Sequence, residues 1–311
     1  MRAKWSIWIT AIVVGVGGHG SRSDALTVAQ PGYVAEAYKL LPVSSAYNDI
    51  EADQSGNLYI GACGFGVLKV DPSKIVTTWS TAPVCDVAMG DSGPQFGAGR
   101  GNCHCVTAFG ADGSYVPLHQ DAFEWTYVAT TGPSTLYANL AAGPGQGLYT
   151  IDVNDGHAST IVAGGPGPGG AGWYFGMAGG SDGKLYVLGY DGASNGLFRL
   201  DASAFTLVAS WPHGGVSLSQ GPDGTFLTSV QFDSPGGIVL GEIWSIDPLL
   251  GSSTLLARSD PVGQPGMDGV AYDAASKTIY ALEGYRIWTI RKDPSPAAKD
   301  TWGGVKARYR R

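Results

Sequence analysis

The stretch 181-SDGKLYVLGYDGASNGLFRLD-201 decides the fold, because the rest of the chain reads as imperfect copies of it. Residues 184–188 alternate in the manner of a half-buried strand, Asp182-Gly183 supplies the tight turn before them, and residues 196–200 form a second strand ending at Asp201. The same strand–turn–strand unit recurs over 54–71, 133–152 and 222–247, in weaker form over 276–290 and in degenerate form over 91–109. Measured from Val70 through Phe109, Ile151, Leu200, Ile246 and Ile290, the repeat is roughly 39 to 49 residues, the length of a four-stranded propeller blade. Glycine density excludes a helical solenoid.

Each unit follows a short apolar segment, at 47–52, 84–89, 125–129, 174–178, 216–219 and 267–272, and several are trailed by an outer strand, as at 75–79, 206–211 and 253–257. Four strands in six copies predict an all-β fold: a six-bladed β-propeller with four-stranded antiparallel blades. Too little chain follows Ile290 to finish the last blade, so residues 33–41 are expected to pair into it and close the ring. Closure removes the exposed sheet edges that invite aggregation.

Residues 1–25 carry Arg2 and Lys4, an apolar run from Trp5 to Val16 and then Ser23-Asp24-Ala25. That order of charged, apolar and small residues predicts a secretory signal, the run being short for a bilayer span. The expected organisation is a signal over 1–25, a propeller over 26–292, and a linker with a basic tail over 293–311. A secreted, periplasmic or extracellular monomer is expected, not integral to a membrane once the signal is cleaved. The formal charge of −7 becomes −9 without 1–25 and −13 when the tail from Ala297 is also set aside. So acidic a ring argues against nucleic acid and anionic membrane as partners of the main body.

Ligands of a propeller collect where the inner strands begin, around one mouth of the central channel. Aligning the six inner strands places Asn48-Asp49, Cys85-Asp86, Thr126-Tyr127, Phe175-Gly176, Val216-Ser217 and Asp268-Gly269 at that entrance. Asn48, Asp49, Asp86, Tyr127, Tyr174, Phe175 and Asp268 are the candidate binding residues, for a small molecule or a protein. The aromatic residues there, with Tyr47, Trp125 and Trp173, offer either a stacking floor or ordinary packing between blades. A carboxylate beside a blade glycine is, equally, a common turn-former.

Cys63, Cys85, Cys103 and Cys105 all lie in the first two blades. In an exported chain they predict two disulfides with the pairing open among three arrangements, all on the entrance face. A zinc site at Cys103-His104-Cys105 is disfavoured, because along a strand the two cysteines share one face and His104 points to the other. The glycine-rich run 164–172 lacks the Gly-Lys-Ser/Thr of a phosphate loop and reads as a linker between blades, and no serine stands in Gly-x-Ser-x-Gly. His119, His157 and His213 are expected at the solvated surface.

The segment 267-MDGVAYD-273, followed by Ile279-Tyr280, resembles the blade motif of the regucalcin/gluconolactonase family, and the turn–strand units resemble NHL-type repeats. The resemblance implies a divalent cation, calcium or zinc, held by Asp268, with a glutamate from the first blade and an asparagine from a middle blade completing the oxygen set. Here Glu51 lies two residues beyond Asp49, and Phe175 and Val216 stand where the amide belongs. Two functions are therefore expected in this order: a ligand- or protein-binding scaffold without catalysis, and a metal-dependent hydrolase or lactonase like that family.

Overall fold

The computed structural model describes residues 26–42, 47–90, 93–99, 103–132, 134–141, 143–211, 213–234, 238–259 and 266–293. The expected signal, linker and tail, and much of the 97–102 loop, lie outside them. Six sheets surround a central channel. Two strands precede the ring, β1 (Leu26–Val28) and β2 (Tyr33–Leu40). Blade one follows as β3 (Tyr47–Ala52), β4 (Leu58–Ala62), β5 (Gly66–Val70) and β6 (Val76–Ser80), and blade two as β7 (Asp86–Gly90), β8 (Gly93–Ala98), β9 (Cys105–Phe109) and β10 (Tyr115–Gln120). Blade three is β11 (Trp125–Thr130), β12 (Leu136–Leu140), β13 (Gly147–Ile151) and β14 (Ala158–Ala163). Blade four is β15 (Trp173–Gly179), β16 (Leu185–Tyr190), β17 (Asn195–Asp201) and β18 (Ala204–Ser210). Blade five is β19 (Ser217–Gln220), β20 (Phe226–Ser234), β21 (Ile238–Asp247) and β22 (Ser252–Ser259), and blade six is β23 (Met267–Asp273), β24 (Thr278–Glu283) and β25 (Arg286–Lys292).

The last blade lacks a fourth strand of its own. β2 supplies it, pairing antiparallel with β25 from Tyr33 opposite Lys292 to Leu40 opposite Arg286. One strand went unread in the sequence: β1 pairs with β22, Leu26 opposite Ser259, and makes blade five a five-stranded sheet. Three residues are too few for a period-two pattern to stand out. The N-terminal segment therefore ties two neighbouring blades together.

Six apolar clusters occupy the six interfaces between blades. Between blades one and two, for example, Tyr59 and Val67 meet Val84 and Val87; between six and one, Tyr280 and Leu282 meet Ile50 and Ile60. A middle strand packs one face on the preceding blade and the other on the next, so β4 (LYIGA) and β24 (TIYALE) are buried throughout instead of alternating with solvent, whereas an outer strand such as β10 is largely exposed. His119 departs from the expected solvated position: it is half-buried, its ring edge-on to Trp125 at 5.2 Å and its Nδ1 3.0 Å from the Gly156 carbonyl.

Several aspartates at the turns of the repeat units have local partners. Asp71 accepts from the Ile75 N–H at 2.8 Å, Asp152 from Asn154 at 2.8 Å, and Asp247 from Leu249 and Leu250 at 2.8 and 3.0 Å. Asp53 does the same for Ser55 and Asn57. These carboxylates hold turns. Asp201 differs, since it pairs with Arg199 and Lys184, which hold its carboxyl well below the usual range.

Candidate functional site: the two ends of the channel

Inner strands run from the entrance face to the opposite, exit face. Contacts between neighbouring blades fix their register at the second aligned position, which holds Asp49, Asp86, Tyr127, Gly176, Ser217 and Gly269. The Asp49 carboxylate accepts from the Val87 N–H at 3.1 Å, and Asp86 accepts from Val128 at 2.7 Å, each bridging to the next blade. In blades four and six the same position is glycine because the neighbouring backbone comes too close: a Cβ would lie 2.8 Å from the Leu218 nitrogen at Gly176, and 3.0 Å from the Ile50 nitrogen at Gly269. Asp49 and Asp86 thus stitch blades one to three from inside the ring.

At the entrance, Asp268 accepts from the Gly284 N–H at 2.8 Å. Burial, and then the nearby Glu283, push its carboxyl up to about 7. Cys63 pairs with Cys85 across blades one and two, Cα atoms 4.3 Å apart, and Cys103 pairs with Cys105 within blade two, Cα atoms 5.0 Å apart. Cys85 directly precedes β7, so the first bridge ties a blade-one turn to the start of the next inner strand. Trp173 is 56% exposed, its ring 5.7 Å from that of Tyr190 and inclined at 36°. Phe65 and Tyr285 are exposed in the second-to-third turns of blades one and six, on this same face. Tyr174 lies elsewhere, buried between blades three and four beside Ala129, Leu148 and Phe205, and burial raises its phenol. Trp125 and Tyr47 are likewise buried, while Asn48, Tyr127 and Phe175 remain half-exposed.

The set that a hard cation needs does not assemble around Asp268. The positions aligned with it are Asn48, Cys85, Thr126, Phe175 and Val216, which bring one amide oxygen, one hydroxyl and a cysteine already in a disulfide. Glu51 does not join them: its carboxyl bonds to the Ser219 hydroxyl of blade five and faces Asp49 and Asp86. No group of three His, Cys, Asp or Glu side chains spaced for a metal occurs among the described residues.

Glu51 belongs to the exit half. There a cavity of about 520 Å³ opens between all six inner strands, with Glu51 and Ser219 at its inner end. The positions aligned with Glu51 are Ala88, Ala129, Ala178, Ser219 and Ala271, so one carboxylate stands in a ring of small residues where the strands converge on the axis. Burial, then Asp49 and Asp86, push the Glu51 carboxyl well above the usual range, and burial raises Asp49 to about 6. Glu51 stands two residues beyond Asp49 in the sequence; extending the other five strands by the same two residues shows it to be the lone acid among small residues.

The fold and channel define a class, the six-bladed β-propeller. Among solved structures, a gluconolactonase of Xanthomonas campestris superposes with a TM-score of 0.62 at 14% identity, covering 86% of this chain and 94% of that one. A Trichoderma reesei carbohydrate-active enzyme of family AA12 gives 0.63 at 10% identity, covering 89% and 100%. A chain of the mitotic checkpoint complex gives 0.53 at 12%, covering 92% and 98%. At these identities the likeness is one of fold. No protein-family model matches the sequence. No curated protein matches it either.

Proposed function

We propose that this chain is an exported binding propeller that holds a small molecule or a protein at its entrance face without catalysis. The observation that carries this reading is the makeup of that face: Trp173 stands out over Tyr190, Phe65 and Tyr285 are exposed in turns, and the one carboxylate aligned for a metal is engaged by a backbone N–H. Exposed aromatic rings with polar edges suit a ligand that is apolar on one side and hydrogen-bonding on the other, as sugars and peptides are. The Cys63–Cys85 bridge, two residues from Phe65, holds that turn in one shape, so less entropy is lost on binding.

The alternative, a metal-dependent lactonase, draws on Asp268 in its 267-MDG-269 setting and on the shared fold. Calorimetry with calcium, zinc and manganese, run beside a gluconolactone hydrolysis assay, separates the two. The expected result is neither stoichiometric metal binding nor hydrolysis, with binding on glycan or peptide arrays that Trp173→Ala abolishes. Stoichiometric metal binding lost in Asp268→Ala, with turnover, would replace the first reading by the second.

A further inference from the structure

The exit-face cavity lies at the other end of the channel from the surface just described and is built differently. Its walls are apolar where the inner strands supply Val87, Met89, Val128 and Met177, and its volume of about 520 Å³ falls within the range that encloses small ligands. Its polar side chains are Glu51 with Ser219, and Thr130, Gln220, Asp223 and Tyr272 nearer the rim. No lysine, arginine or histidine lines it among the described residues. An anion would meet two carboxylates and no cationic side chain there, and a neutral apolar molecule would leave Glu51 facing it without a partner on the ligand.

We infer that this cavity binds a small organic cation, an ammonium group on a short apolar stem, with Glu51 as the anionic partner at the inner end and the methionine-lined walls around the stem. Methionine side chains adapt to stems of different shape, and the ring of alanines aligned with Glu51 keeps the axis open. The electrostatics agree. Glu51 faces Asp49 on its own strand, Asp86 on β7 and Ser219 on β19, while Asp223 and Tyr272 lie outward of it; burial and the two aspartates push its carboxyl well above the usual range, and an ammonium beside it offsets both.

The test is titration calorimetry of the purified chain with n-butylammonium, and with n-butanol, butyrate and calcium as comparison probes. The expected result is one n-butylammonium per chain, and no binding of the alcohol or the acid. Glu51→Gln keeps the side-chain shape and should weaken n-butylammonium at least tenfold. Met89→Lys, which brings a built-in ammonium into the same cavity, should abolish binding. Circular dichroism establishes that each variant is folded; should Met89→Lys fail that check, Glu51→Gln decides. Absence of n-butylammonium binding, equal binding of n-butanol, preference for calcium, or an unchanged affinity in Glu51→Gln would overturn the inference.

Discussion

The two ends of the channel are made from the same six strands and differ in what those strands carry. At the entrance the residues are large and fastened: two disulfides, an exposed Trp173 and a carboxylate at Asp268 already bonded to Gly284. Toward the exit the aligned residues are alanine or serine, apart from Glu51, and space is left between the strands. The repeat sets where strands go, whereas the side chain at each aligned position decides whether the axis there is a surface or a cavity.

The difference can be broken first at its fastening. Removing the bridge between blades one and two, as Cys63→Ser with Cys85→Ser, should cost about 2–5 kcal/mol, because a closed loop no longer restricts the unfolded chain. Urea unfolding monitored by tryptophan fluorescence measures it; an unchanged midpoint would mean that the entrance does not depend on the bridge.

The carboxylates sharpen the comparison through pH. Asp268, raised to about 7 in the fold, contributes stability that is fully present below about pH 4 and lost as pH rises through 7. Asp268→Asn keeps an acceptor for Gly284 and removes that loss, so at pH 8 the variant should be more stable by on the order of 3 kcal/mol. Urea midpoints at pH 4.5 and 8 read the effect. A destabilised Asp268→Asn at pH 8, rescued in wild type by calcium, would indicate a metal at the entrance instead.

Deeper in the channel the sign is the same and the effect smaller. Asp49, raised to about 6, loses its contribution between about pH 4 and 6, so Asp49→Asn should flatten that part of the stability profile by roughly 1–3 kcal/mol. The mutation leaves the bridge to Val87 in place, since an amide oxygen accepts as the carboxylate does. A profile as steep as wild type would mean that Asp49 is ionised throughout.

Trp173→Ala should change least in stability, within about 0.5 kcal/mol for a side chain this exposed. Its expected effect is on ligand capture at the entrance, with the exit cavity untouched. A large loss of stability would recast Trp173 as a packing residue and remove the observation on which the entrance reading rests.

Blade count, closure by the N-terminal strand and the alignment of the inner strands were legible in the amino-acid order, because each depends on local signals: period-two alternation, turn-forming Asp-Gly pairs and a repeat length. The 267-MDG-269 motif marked the entrance for the same reason. Other features depended on which blades become neighbours and how far strands lie across the axis. Cys63 with Cys85, Glu51 reaching Ser219 four blades on, the burial of Tyr174 between blades and the strand at Leu26–Val28 all join residues far apart in sequence or too few to show a period. Nothing in a single strand states the width of the channel it will line. Only the closed ring, by setting that width, leaves Glu51 beside a cavity.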